Sequence, residues 1–208
     1  MAHVIAFGAS ITYGAWDTEG GWVARLRKYL DAKYLIPKHP KYFLTYNLGI
    51  SGDNSQGLLK RFEPELKLRL DDEEENILII SIGINDSQFV LKDKKNRISP
   101  KDYQANLTKI LCLAKKYSTK IVFVGITPCD ETKTSPLAWD KSKCYKNEYI
   151  KKYNDIAHDV CRQNKIGFID VLPLLLGKNY LFEDGLHPNS QGHELIYKEV
   201  KKWLDGII

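Results

Sequence analysis

Long apolar runs are missing from this 208-residue chain. No stretch approaches the 18 or so apolar residues of a membrane span. The start, Met1-Ala2-His3-Val4-Ile5-Ala6-Phe7-Gly8, is apolar but shorter than a signal h-region, and it lacks a basic n-region. A cytoplasmic location is therefore the expectation. Low-complexity tracts are also missing, and 43% apolar with 27% charged residues is an ordinary globular make-up that argues against disorder. The four cysteines, Cys112, Cys129, Cys144 and Cys161, form no CxxC pair, which argues against a zinc site. Cys112 and Cys161 fall on predicted helices and are expected as free thiols. Cys129 and Cys144 bracket a loop and could pair in an oxidising compartment.

Three glycine signatures are absent as well. Gly8-Ala9-Ser10-Ile11-Thr12-Tyr13-Gly14 fits neither GxGxxG nor the lysine-bearing phosphate loop. It also lacks the GxSxG nucleophile elbow, because position 12 is Thr. Net charge is +5, with the densest basic groups at Lys92, Lys94, Lys95 and Arg97 and at Lys141, Lys143 and Lys146, set against an acidic run over 71–75. No nucleic-acid-binding motif accompanies them, so nucleic acid is not an expected partner. The balance fits a solvated surface or an anionic small molecule.

What is present alternates. Strands are predicted over 4–7, 42–46, 77–82, 121–124 and 167–171. The clearest is Ile77-Leu78-Ile79-Ile80-Ser81-Ile82, whose near-continuous apolarity marks a strand buried on both faces. Helical stripes fall between them. The first is Trp22, Leu26, Tyr29, Leu30 and Lys33. Another helix over 56–70 is interrupted near Pro64. Tyr103, Leu107, Ile110, Leu111 and Ala114 follow a Ser99-Pro100 start. Tyr149, Tyr153, Ile156, Ala157 and Val160 come next. Ile196, Val200, Trp203, Leu204 and Ile207 close the chain, with Asn189 or Ser190 as N-cap. Five strands among five helices predict an α/β fold, a three-layer α/β/α sandwich on a five-stranded, mainly parallel sheet. Length and the absence of linker or repeat make residues 1–208 one domain. The long connections, 87–98 and 127–146, read as functional or mobile loops.

In an open parallel sheet, ligand binds beyond the carboxyl ends of the strands. Small and polar residues collect there: Gly8-Ala9-Ser10, Asn47 to Asp53, Gly83-Ile84-Asn85-Asp86, Gly125 to Pro128, and Asp184-Gly185-Leu186-His187-Pro188. A serine nucleophile needs a base, and the base needs an orienting group. Of five histidines, His3 lies at the wrong end of its strand and His39 sits between two prolines in a surface connection. His158 reads as a surface or packing residue, and His193 as part of the last helix. His187 alone precedes a helix in a loop, with a carboxylate three residues upstream and Pro188 biasing it towards extended backbone. Acyl transfer also needs oxyanion donors: the backbone N–H groups of Ser10 and Gly52 and the side-chain amide of Asn85 are candidates. Taken singly, each is as readily a turn serine, a turn glycine, an Asx-turn or a capping histidine. Two rival readings stay open: a binding module without catalysis, and a nucleotide- or phosphate-binding protein using the Gly8 to Gly14 loop.

Four blocks in order resemble the SGNH/GDSL hydrolase superfamily. They are Phe7-Gly8-Ala9-Ser10-Ile11-Thr12-Tyr13-Gly14, Asn47-Leu48-Gly49-Ile50-Ser51-Gly52-Asp53, Ser81-Ile82-Gly83-Ile84-Asn85-Asp86 and Asp184-Gly185-Leu186-His187-Pro188-Asn189. The resemblance implies a flavodoxin-like sandwich with no metal and no cofactor. It implies an esterase acting through an acyl-enzyme on Ser10, with His187 and Asp184 completing the triad and Ser10, Gly52 and Asn85 the oxyanion hole. The implied partner is a small-molecule ester, ranging from lipid and sugar esters to thioesters and lysophospholipids; the absence of a long apolar lid puts short-acyl or carbohydrate acetyl esters foremost. The sequence departs at Ala9, where the family usually has Asp. Trp16, Asp17, Trp22 and Trp139 are candidates to shape the substrate cleft, with core packing the competing role for Trp22.

Overall fold

The computed structural model describes residues 1–35, 42–71 and 73–208. His39 and Asp72 of the acidic run lie outside them. In chain order the strands are β1 (Ala2–Gly8), β2 (Phe43–Gly49), β3 (Glu75–Ser81), β4 (Phe89–Val90), β5 (Lys95–Asn96), β6 (Lys120–Val124), β7 (Lys143–Cys144) and β8 (Gly167–Ile169). The helices are α1 (Ser10–Tyr13), α2 (Gly21–Tyr34), α3 (Ser55–Lys67), α4 (Pro100–Tyr117), α5 (Glu131–Thr134), α6 (Asn147–Asn164), α7 (Leu172–Leu175) and α8 (Ser190–Asp205).

The main sheet has the order β2-β1-β3-β6-β8, and each neighbouring pair is parallel. Ile77, Leu78, Ile79 and Ile80 of β3 are all fully buried. Successive strand residues point to opposite faces, so both faces of the sheet must be covered. They are: α2 packs on α8, while α3, α4 and α6 pack side by side. Strand order reverses between β1 and β3, and a doubly wound sheet opens its ligand crevice at that switch point. The segments after β1 and β3 carry Ser10 and Asn85.

The helices start where local chemistry satisfies their free N–H groups. Ser99 caps α4 by accepting from Asp102 N–H, with Pro100 in the first turn. Asn189 is the cap of α8, accepting from Gln191 and Gly192 N–H at 3.1 and 3.2 Å. Helix α3 is capped by Asn54 and runs through Pro64 to Lys67, three residues short of the expected end. Strand β2 extends to Gly49 because its register against β1 continues to Gly8. Strand β8 stops at Ile169, where the Asp170 carboxylate accepts from Leu172 N–H at 3.2 Å and turns the chain into α7.

The two long connections do not run free. They pair in a small antiparallel sheet, β5-β4-β7, in which Val90 faces Lys95 on one side and Lys143 on the other. Two-residue strands carry no readable alternation, so the sequence gives them no signal. All four cysteines are free thiols. Burial pushes the Cys129 thiol up to about 12. Among the described residues no helix is long and apolar enough to cross a membrane.

Candidate active site

Ser10 begins α1 immediately after the C-terminal end of β1 and is only 4% exposed. As the first residue of a helix, its N–H has no intrahelical acceptor. Glycine at 8 and 14 is required by packing. A Cβ at Gly8 would meet Thr12 Oγ1 at 2.0 Å, and one at Gly14 (φ +96°) would meet the Gly20 carbonyl oxygen at 2.3 Å. These glycines therefore let the chain cross itself closely, which is a different task from cradling a phosphate.

His187 arrives from the far end of the chain. Its Nε2 lies 2.9 Å from Ser10 Oγ, and its Nδ1 lies 2.7 Å from Asp184 Oδ2. The loop that holds this pair is built by Asp184 itself, whose Oδ1 accepts from the backbone N–H groups of Leu186 and His187 at 2.9 and 2.8 Å. Glu183 N–H donates to the His187 carbonyl at 2.9 Å and closes the loop. The side chains of His187 and Asp184 are 12% and 26% exposed, so the pair is partly shielded from solvent. Burial pushes the Asp184 carboxyl up, but the His187 ring and the two backbone donors outweigh it and hold it well below the usual carboxylate range.

Gly52 lies on the loop after β2, and Asn85 on the loop after β3. Asp53 N–H donates to the Ile50 carbonyl at 3.1 Å, closing a turn in which Gly52 takes φ +78°, the sign that favours glycine. Asn85 Nδ2 donates to the Asp53 carbonyl at 2.7 Å and ties the two loops together. Its Oδ1 accepts from Tyr145 O–H at 2.7 Å, and Tyr145 accepts in turn from Gln88 Nε2 at 2.8 Å. That chain fixes which way the amide faces and leaves one Asn85 N–H uncommitted. Arg61 holds the same corner, donating to Asp53 Oδ2 at 2.8 Å and to the Gly8 carbonyl at 3.0 Å. Tyr145, Gln88 and Arg61 carried no signal in the sequence. Tyr145 comes from the second long connection, and only pairing on β4 brings it here.

The other candidates separate cleanly. Trp22 is fully buried and belongs to the core. Trp139 is exposed. Asp17 is an anchor: burial raises its carboxyl, but Arg25, Ser190 Oγ at 2.5 Å and the N–H groups of Glu19 and Gly21 hold it far below the carboxylate norm. It ties the loop after α1 to the start of α8. His3 lies in β1 with Nδ1 2.7 Å from the Arg69 carbonyl oxygen, and His158 is exposed beside the Phe168 ring. His193 is buried in α8. Ala9 is buried against a cavity of about 20 Å³ that Thr12 and Thr127 also line. Among the described residues, neither threonine hydroxyl has a hydrogen-bond partner. Among the described residues, no three His, Cys, Asp or Glu side chains converge in a way that could hold a metal ion.

Residues 6–195 match the model of the GDSL-like lipase/acylhydrolase family. An isoamyl acetate-hydrolyzing esterase of Schizosaccharomyces pombe is 27% identical over 204 residues, covering 93% of this chain and 71% of that protein. A lipase/acylhydrolase structure from Enterococcus faecalis superposes with a TM-score of 0.77 at 21% identity, over 99% of this chain and 96% of that one. A mutant of an acetyl-xylooligosaccharide esterase from Geobacillus stearothermophilus gives 0.73 at 21% identity, over 97% and 93%. Those structures share the fold, and the family match covers most of the sequence: the chain belongs to the GDSL-like lipase/acylhydrolase family and is a carboxylic ester hydrolase.

Proposed function

We propose that this esterase works through an acyl-enzyme on Ser10, with His187 as general base and Asp184 as the group that orients it. One observation carries the reading: Ser10 Oγ, His187 and Asp184 form a continuous hydrogen-bonded chain across 177 residues of sequence. With its proton on Nδ1 facing Asp184, neutral His187 presents a lone pair on Nε2 to the serine hydroxyl. As Oγ bonds to the acyl carbon, Nε2 takes the hydroxyl proton and the carbonyl electron pair moves onto oxygen. Collapse of that adduct expels the alcohol oxygen, which takes the proton back from Nε2. A water molecule then repeats the attack on the acyl-serine, again with His187 as base, and releases the carboxylic acid. The backbone N–H groups of Ser10 and Gly52 and the free N–H of Asn85 are the proposed oxyanion donors.

Small esters are the proposed substrates, acetyl esters of alcohols and sugars first, with thioesters and lysophospholipids as the wider range. The names of two relatives support the acetyl preference: one hydrolyses isoamyl acetate, the other acts on acetyl-xylooligosaccharides. The testing experiment is labelling by an organophosphonate, located by mass spectrometry, beside p-nitrophenyl acetate turnover. Ser10→Ala is expected to remove both label and turnover while leaving the fold intact. Unchanged turnover in that variant would refute the assignment. A panel of esters of increasing acyl length, with sugar acetates, tests the substrate reading, and a preference for long chains overturns it.

A further inference from the structure

We infer that Trp16 is a positioning residue of this site: its indole N–H shares the Asp184 carboxylate with His187 while its ring braces the imidazole. The inference rests on the triad reading above. Trp16 is 62% exposed, so burial of apolar surface does not account for where it sits. Its Nε1 donates to Asp184 Oδ2 at 2.9 Å, the same oxygen that lies 2.7 Å from His187 Nδ1. Its ring meets the His187 ring edge-on, with centroids 5.8 Å apart and planes at 87°. The favoured geometry of an aromatic pair is thus met on the base itself.

The backbone tells the same story. Trp16 has φ +64°, a region bulky residues seldom enter. Such a conformation persists when its surroundings fix it, and it gathers at functional sites. Here they do fix it. On one side Ala15 N–H donates to the Ser10 carbonyl at 3.0 Å. On the other, Asp17 N–H reaches the Gly14 carbonyl at 3.3 Å, and the Asp17 carboxylate is clamped by Gly21, Arg25 and Ser190. Trp16 is the tip of a loop held at both ends, one end being the nucleophile, and the tip is directed at the acid.

Two donors on one carboxylate oxygen have a defined consequence. Part of the Asp184 charge is engaged by the indole, so less of it stabilises a protonated imidazole. Removing the donor should free the Asp184–His187 pair to reorient, and it should make His187 hold its proton to higher pH. The other titratable or charged groups facing the pair are Asp17 and Arg25 behind the loop, His193 on α8, and Glu183, Lys133, Asp130 and Tyr145 around it. The Trp16 indole N–H donates to none of them; it goes to Asp184.

The test uses Trp16→Phe, which keeps an aromatic ring and loses the N–H, and Trp16→Gly, which suits the left-handed backbone and removes both contacts. For Trp16→Phe the expectation is a fall in kcat of about tenfold, KM changed by less than about twofold, and an acid limb of the kcat/KM profile moved to higher pH. For Trp16→Gly the expectation is an unchanged or raised Tm with a larger loss of kcat. An unmoved acid limb in Trp16→Phe overturns the inference, whether kcat stays the same or falls together with Tm. A rise in KM alone overturns it too, since Trp16 would then be a substrate contact. Organophosphonate labelling of the unaltered enzyme separates the two levels. A label on Ser10 with an unshifted acid limb sinks only the role of Trp16, and no label on Ser10 sinks the triad and this inference together.

Discussion

Asp184→Asn is the most informative single change, because it keeps the shape of the side chain and alters one oxygen. In the native site Asp184 accepts four N–H groups: two from backbone on Oδ1, and those of His187 and Trp16 on Oδ2. An asparagine has one acceptor oxygen and one NH2 to distribute over these positions. Turning the oxygen to the two backbone donors preserves the loop and costs least. The NH2 then faces His187 Nδ1, which must give up its proton, and the imidazole proton moves to Nε2. That nitrogen is 2.9 Å from Ser10 Oγ and can no longer accept the hydroxyl proton. The opposite rotamer keeps the tautomer but sets NH2 against two backbone N–H groups. Either way the productive state becomes rare. A wrong-tautomer change of this kind is worth on the order of 10⁴ in kcat, or roughly 5 kcal/mol of transition-state stabilisation at ~1.4 kcal/mol per decade. The assay is steady-state hydrolysis of p-nitrophenyl acetate over a pH series, with circular dichroism to establish that the variant is folded. A loss smaller than about tenfold in a folded variant would refute the role given to Asp184.

Further outcomes follow from the same geometry. Asn85→Ala should lower kcat roughly a hundredfold or more with a smaller effect on KM, since its free N–H is proposed to act on the oxyanion; an equal loss in both the variant's folding and its rate would favour a structural role. Tyr145→Phe should cost less than Asn85→Ala, because it only releases the amide orientation, and kinetics of the two variants side by side will rank them. The pH dependence of stability has a definite sign at Asp17. Its folded-state value is depressed, so its contribution is fully present above the ordinary 3.8 and is lost as pH falls through the depressed value. Thermal melts of Asp17→Asn should therefore show a shallower fall in Tm on acidification below that point than the unaltered protein; parallel curves would remove Asp17 as the anchor.

Much of this site was legible in sequence because its parts are local. Ser10, Gly52, Asn85, and the pair Asp184 and His187, each sit in a short block directly after an apolar run or before a helix, and chain order alone presents them at one rim of the sheet. Asp184 and His187 are three residues apart, so their loop is largely self-made by the Asp184 carboxylate. The alternation of apolar runs and helical stripes likewise determined an α/β sandwich, since a strand as apolar as Ile77 to Ile80 can be satisfied only with both faces covered. What the tertiary structure decided is what depends on contacts between distant segments. The 2.9 Å meeting of Ser10 with His187 spans 177 positions. The aim of Asn85 depends on Tyr145, delivered by a two-residue strand too short to leave a periodic trace. Trp16 read as a candidate cleft aromatic, and only the folded loop turns its N–H onto the acid. Periodicity reports which side of an element is buried, and it does not report which neighbour a polar atom will meet; that is settled by packing.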